Sequence, residues 1–148
     1  MAKLEKGAWV VVADTEKAQI YRNAETPWKP RLESVAQLEA VPASATFGRP
    51  GRRSDGGPNQ MSALEAPDLH KQTRERFARE LAELLYKKAH KGEFAHLVIV
   101  AAPQFLGALR DEMHQTVLSR VIGEIPKTLT ERKPHELAPL VKTGLEAQ

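Results

Sequence analysis

The chain contains no cysteine. Disulfide scaffolds, thiolate zinc or iron–sulfur sites and cysteine nucleophiles are therefore excluded, and a cytoplasmic location is the expectation. Long apolar runs are missing too: the longest, 8–13 and 97–103, fall far short of the roughly 20 residues that span a bilayer, so no integral membrane association is expected. The opening Met1-Ala2-Lys3-Leu4-Glu5-Lys6-Gly7 lacks the apolar stretch of a secretory signal, and Glu5 is wrong for an organellar transit peptide. Reactive motifs are equally scarce. No Gly-x-Ser-x-Gly elbow, phosphate-binding Gly-x-x-x-x-Gly-Lys or dinucleotide Gly-x-Gly-x-x-Gly occurs, so hydrolase-triad, nucleotidase and dehydrogenase readings have no anchor. The five histidines, His70, His90, His96, His114 and His135, include no His-Glu-x-x-His pair. Neither a metal site nor a cofactor is expected. His70, His90 and His135 read as helix-end residues and His96 as the start of a buried strand, positions that partial burial or the helix dipole explains.

What is present fits one ordinary domain of 148 residues, 41% hydrophobic and 28% charged, with 22 Lys plus Arg against 19 Asp plus Glu. The net charge of +3 permits a polyanionic partner without demanding one. Trp9-Val10-Val11-Val12-Ala13-Asp14 reads as a strand buried on both faces. Ala18 to Arg22 alternates as a half-wet strand and completes a hairpin, after which Pro27 and Pro30 break regular structure. Arg31 to Ala40 suits a third antiparallel strand with Leu32, Ser34, Ala36 and Leu38 on one face, although its Ala, Gln and Glu also suit a short helix. A helix is predicted from an Asp68 cap to Lys91, with Thr73, Phe77, Leu81, Leu84, Leu85 and Lys88 on one stripe and Gly92 as its stop. Its polar face carries Arg74, Glu75, Arg79, Glu80 and Glu83. A second doubly buried strand spans Ala95 to Ala102, and Pro103 opens a helix holding Phe105, Leu106, Leu109 and Met113. A strand at Val121 to Ile125 and a terminal helix from Pro134, with Leu140 and Val141 inward, complete an α/β plan: a mixed β-sheet flanked by helices.

One stretch resists that plan. Residues 41–68 hold Pro42, Pro50, Pro58 and Pro67 with Gly48, Gly51, Gly56 and Gly57 and almost no large apolar side chains, so they read as a long, mobile Gly/Pro/Arg-rich loop. Arg49, Arg52 and Arg53 offer forked donors for phosphate on a backbone that Gly56 and Gly57 leave free to approach a ligand, a combination suited to RNA or another anion. Arg74 on the adjacent helix extends the candidate surface. A flexible tether, its charge softened by Asp55 and Glu65, is the competing reading.

Several segments together carry a resemblance. Trp9-Val10-Val11-Val12-Ala13-Asp14, Arg49-Pro50-Gly51-Arg52, Glu75-Arg76-Phe77-Ala78-Arg79-Glu80-Leu81, the run from Leu97 through Ala102-Pro103-Gln104-Phe105-Leu106-Gly107-Ala108-Leu109-Arg110, and Gly123-Glu124-Ile125 with Leu129-Thr130 look like the bacterial host-attachment protein family. That family is similar, more distantly, to the middle domain of archaeo-eukaryotic peptide-chain release factors. The resemblance implies a ribonuclease H-like fold and a ribosome, tRNA or rRNA partner. It also implies that Gly56-Gly57-Pro58-Asn59-Gln60 stands where those factors carry a contiguous Gly-Gly-Gln that positions water against the peptidyl-tRNA ester. Here two residues are inserted, and Pro58 removes an amide donor. Gln60 is the catalytic candidate on that basis, for a peptidyl-tRNA ester hydrolase of release-factor type. The reading set against it is a non-catalytic domain that binds ribosome or structured RNA, and a third is an indirect role in attachment to host cells.

Overall fold

A computed structural model describes residues 3–40 and 58–148, with side chains over 3–40 and 70–148. The elements in chain order are β1 (Trp9–Ala13), β2 (Lys17–Asn23), β3 (Leu32–Glu39), α1 (Pro58–His90), β4 (Leu97–Ala101), α2 (Pro103–Glu112), the single turn α3 (Gln115–Leu118), β5 (Val121–Ile125) and α4 (Pro134–Glu146). The sheet order is β3-β2-β1-β4-β5. β2 runs antiparallel to both neighbours, while β4 is parallel to β1 and to β5. This is the mixed sheet flanked by helices that the sequence predicts.

β1 and β4 are the sheet's centre because every residue in them is buried. Alternation divides them between two cores. Trp9, Val11, Ala13, Leu97, Ile99 and Ala101 face α1, α2 and α3, whereas Val10, Val12, Val98 and Val100 face α4. Each large side chain so buried contributes about 1.5–3 kcal/mol, which is why two short runs suffice to fix the layer order. α1 seals the first core with Phe77, Leu81 and Leu85, and its small Ala78, Ala82 and Ala89 let the helix sit close to the sheet. Phe77 meets Phe105 of α2 with ring centroids 5.7 Å apart. Gly92 ends α1 as expected. Its φ of 73° permits the Gly92 N–H to reach the Ala89 carbonyl at 2.9 Å and the Glu93 N–H to reach that of Lys88 at 3.0 Å.

Four details depart from the sequence reading. β3 does not keep one face inward: Ile20 lies opposite Ala36 but Tyr21 lies opposite Ser34, so Val35 is an extra residue in the ladder. This bulge switches faces. Leu32 packs on the α4 side, and Ala36 and Leu38 pack on the α1 side. Second, α1 starts at Pro58, so residues 58–68 are helical, Asp68 is interior rather than a cap, and His70 is not at an end. Pro58 is a favoured first helical residue, and Gln60, Met61, Ala63, Leu64 and Glu65 are good helix formers, so the helix runs back through Pro67 in spite of the roughly 3 kcal/mol that an interior proline costs. Third, α4 buries Leu137, Ala138, Val141 and Leu145, leaving Leu140 39% exposed beside that stripe. Finally, His96 is exposed, with its carbonyl accepting from the Trp9 N–H at 2.9 Å just before β4 begins.

Candidate functional site

The carboxyl ends of β1, β3 and β4 lie along one edge of the sheet, the edge where open α/β sheets place ligands. Asp14 organises it. One carboxylate oxygen accepts the Glu16 and Lys17 backbone N–H groups at 2.7 and 2.8 Å, closing the β1–β2 turn, and the other accepts the Thr130 hydroxyl at 2.8 Å. A second tie joins the same segments, with Lys17 Nζ 3.0 Å from Glu131 Oε1. The Glu131 carboxylate, through that hydrogen bond and its charge, raises the pKa of the exposed Lys17 ammonium. The Ala40 N–H donates to the Glu16 carbonyl at 2.7 Å and fixes the point where the chain leaves β3.

α1 crosses above this edge. His70, Thr73 and Arg74 from the helix, Thr15 and Glu16 from the turn, and Glu39 and Ala40 from the end of β3 enclose a cleft of about 490 Å³. Arg74 is half-buried, and among the described residues it pairs with no carboxylate. Its planar fork is therefore available to an anion. Glu16 and Glu39 supply acceptors along the cleft, suited to hydroxyl or amino groups of the same ligand. Among the described residues no group of three or more His, Cys, Asp or Glu is placed to hold a metal. Nor is any helix there long and apolar enough to cross a membrane.

Of the residues singled out in the sequence, Arg74 lines the cleft, as does His70, which the sequence reading treated as a helix-end residue and not as a ligand contact. Arg49, Arg52, Arg53, Gly56 and Gly57 lie outside the described residues. The proposed 41–68 loop shares that position as far as residue 57. Gln60, expected in this loop, stands instead in the first turn of α1. At 1.5 Å per residue it is about 21 Å along the helix from Arg74. The sequence reading missed Thr15, Glu16, Glu39 and Thr73. A usable signal existed, since a hairpin followed by a third antiparallel strand must bring the β1–β2 turn beside the end of β3.

This architecture, a three-layer α/β domain with a polar cleft at the carboxyl edge of its sheet, defines the class. The chain belongs to the family described as bacterial archaeo-eukaryotic release factor family 12, whose model it matches over residues 7–141. That description names release factors and does not mention host attachment. No curated protein matches the sequence. Among solved structures, the crystal structure of the archaeal translation termination factor aRF1 is similar with a TM-score of 0.45 at 12% identity, over 97% of this chain and 40% of that one. An archaeal protein is similar with a TM-score of 0.44 at 13% identity, over 83% of this chain and 30% of its own. The chain thus spans less than half the length of either.

Proposed function

We propose that this chain is a translation-associated binding module, acting in the cytoplasm, that engages the ribosome or structured RNA through arginine side chains at the carboxyl edge of its sheet. Arg74 supplies the fixed contact in the cleft. Arg49, Arg52 and Arg53, in the segment that follows Ala40, supply further phosphate contacts, and Gly56 and Gly57 allow the backbone to come close. The observation that carries the reading is Arg74, a partly buried residue without a carboxylate partner among the described residues, lining the cleft at the point where the arginine-bearing segment departs. Membership of a release-factor family supports a translation partner over an unrelated anion. Binding alone accounts for these features, and the domain needs no reaction of its own. Any part in attachment to host cells is then indirect, exercised through RNA.

Cosedimentation with purified ribosomes across a salt series tests this. Neutralising a phosphate contact lowers the salt slope by about one per arginine, so the triple change Arg49→Ala, Arg52→Ala, Arg53→Ala should flatten it by about three and Arg74→Ala by about one. Absent or salt-insensitive cosedimentation refutes the proposal.

A further inference from the structure

The far edge of the sheet carries a second feature that the cleft does not explain. The turn between β2 and β3 presents Trp28 between Pro27 and Pro30, and Trp28 is 67% exposed, the most exposed large apolar side chain among the described residues. One exposed ring is ordinary on a protein surface, so what sets Trp28 apart is how it is held and what surrounds it. The turn is also held firmly. Asn23, the only fully buried polar residue among those described, accepts the Arg31 N–H at 2.9 Å and the Glu25 N–H at 3.1 Å through Oδ1, and donates through Nδ2 to the Leu4 carbonyl at 2.8 Å. The Lys29 N–H donates to Thr26 Oγ1 at 3.2 Å. The fold thus commits a buried amide and two prolines to fixing the shape of a loop whose tip stays mostly in water, the condition for a pre-organised contact.

The surroundings indicate what the tip meets. Lys3 Nζ lies 4.2 Å from the Trp28 ring centroid. Arg31 is matched by Glu25 and Glu33, and Lys142 by Glu146, whereas Lys3 and Lys29 pair with no carboxylate among the described residues. Next to the turn an open groove of about 810 Å³ runs toward α4, with Leu32, Ala138 and Pro139 along it and Lys29, His135 and the Arg31–Glu25 pair at its sides. A flat aromatic face backed by Lys3, the unmatched Lys29 ammonium beside it and a groove of mixed polarity alongside are the components of a single-strand platform.

We infer that the Trp28 turn is a second nucleic-acid contact, where an unpaired RNA base stacks on the indole, Lys29 meets the adjoining phosphate and the next base enters the groove. The inference rests on the RNA-binding reading of the domain but uses a different edge of the sheet. An acidic peptide would satisfy the lysines and leave the ring face unused, so RNA is the better fit.

The probe is a short fluorescein-labelled oligouridylate at low salt, with tryptophan emission recorded in parallel on unlabelled RNA. Trp9 is buried, so the solvent-exposed component belongs to Trp28. RNA should quench that component in the wild-type chain and not in Trp28→Phe. Trp28→Ala should weaken binding by roughly tenfold, with Trp28→Phe recovering most of the loss. Unquenched emission, or Trp28→Ala binding as well as wild type, overturns the inference, as does equal quenching by a polyglutamate peptide, which would assign the turn to a protein partner. The two readings fail separately. Ribosome binding that depends on the arginines without Trp28 quenching sinks this inference alone, and quenching by the oligonucleotide without ribosome binding sinks the other.

Discussion

Replacing Asp14 tests whether the cleft edge is held by geometry or by charge. The carboxylate accepts three hydrogen bonds, two from turn amides and one from Thr130. The Glu16 amide is exposed and rebonds to water, so its loss costs little; the Lys17 amide and the Thr130 hydroxyl are partly buried and each forfeits about 1 kcal/mol. Asp14→Ala should therefore destabilise by about 2 kcal/mol, a fall in Tm of about 4–8 °C for a chain of this size. Asp14→Asn keeps one carbonyl oxygen for the turn, and the freely rotating Thr130 hydroxyl can accept from the new amide, so it should cost less than about 1 kcal/mol. Thermal and urea unfolding followed by circular dichroism give both values. Because Glu16 anchors Ala40 and lines the cleft, Asp14→Ala should also weaken ribosome binding, whereas Asp14→Asn should not. If Asn proves as damaging as Ala, the charge rather than the hydrogen-bonded shape supports the edge, and the reasoning is wrong.

The remaining predictions are simpler. A Cβ on Gly144 would stand 2.6 Å from Ile125 Cδ1 and 3.0 Å from its Cγ1, so Gly144→Ala should lose more to this clash, about 1–3 kcal/mol, than it gains in helix propensity. Adding Ile125→Val removes the nearer of these contacts and should then recover part of the loss, and urea midpoints for the two single variants and the double variant give the coupling. Gln60→Ala should leave peptidyl-tRNA release by the purified chain unchanged from the wild-type background, whereas a loss of release activity would return the ester-hydrolase reading to contention. Burial raises the pKa of the Tyr21 phenol above its ordinary value of 10.0. The folded state therefore resists its ionisation, and this contribution, intact below the unfolded pKa, disappears as pH rises through the higher folded value. Tyr21→Phe should lose less stability than wild type between neutral and strongly alkaline pH.

Much of this fold was readable because its signals were redundant. Val10 to Val12 and Leu97 to Val100 could only be central strands, and Pro103 and Gly92 punctuate helices by their own backbone chemistry. The bulge at Val35 was not readable: a strand that skips one residue still alternates on either side of the skip, and no local residue announces it. The first turns of α1 were hidden for another reason. Pro58 and Pro67 marked a loop when counted as breakers, although the first sits where a helix begins and good helix formers lie between them. Of the cleft, only Arg74 stood out, since a basic residue on a helix is visible by itself. Thr15, Glu16 and Glu39 acquire meaning through strand pairing, which composition does not carry.

The extra residue in β3 also bears on how the molecule behaves among its neighbours. β3 borders the sheet, and a straight strand there would offer any extended chain an unbroken series of matching amides and carbonyls. With Val35 interposed, the two halves of the strand fall out of step, so an incoming segment aligned with one half misses the other. Removing that residue should leave a continuous border and a chain more prone to fibrous self-association.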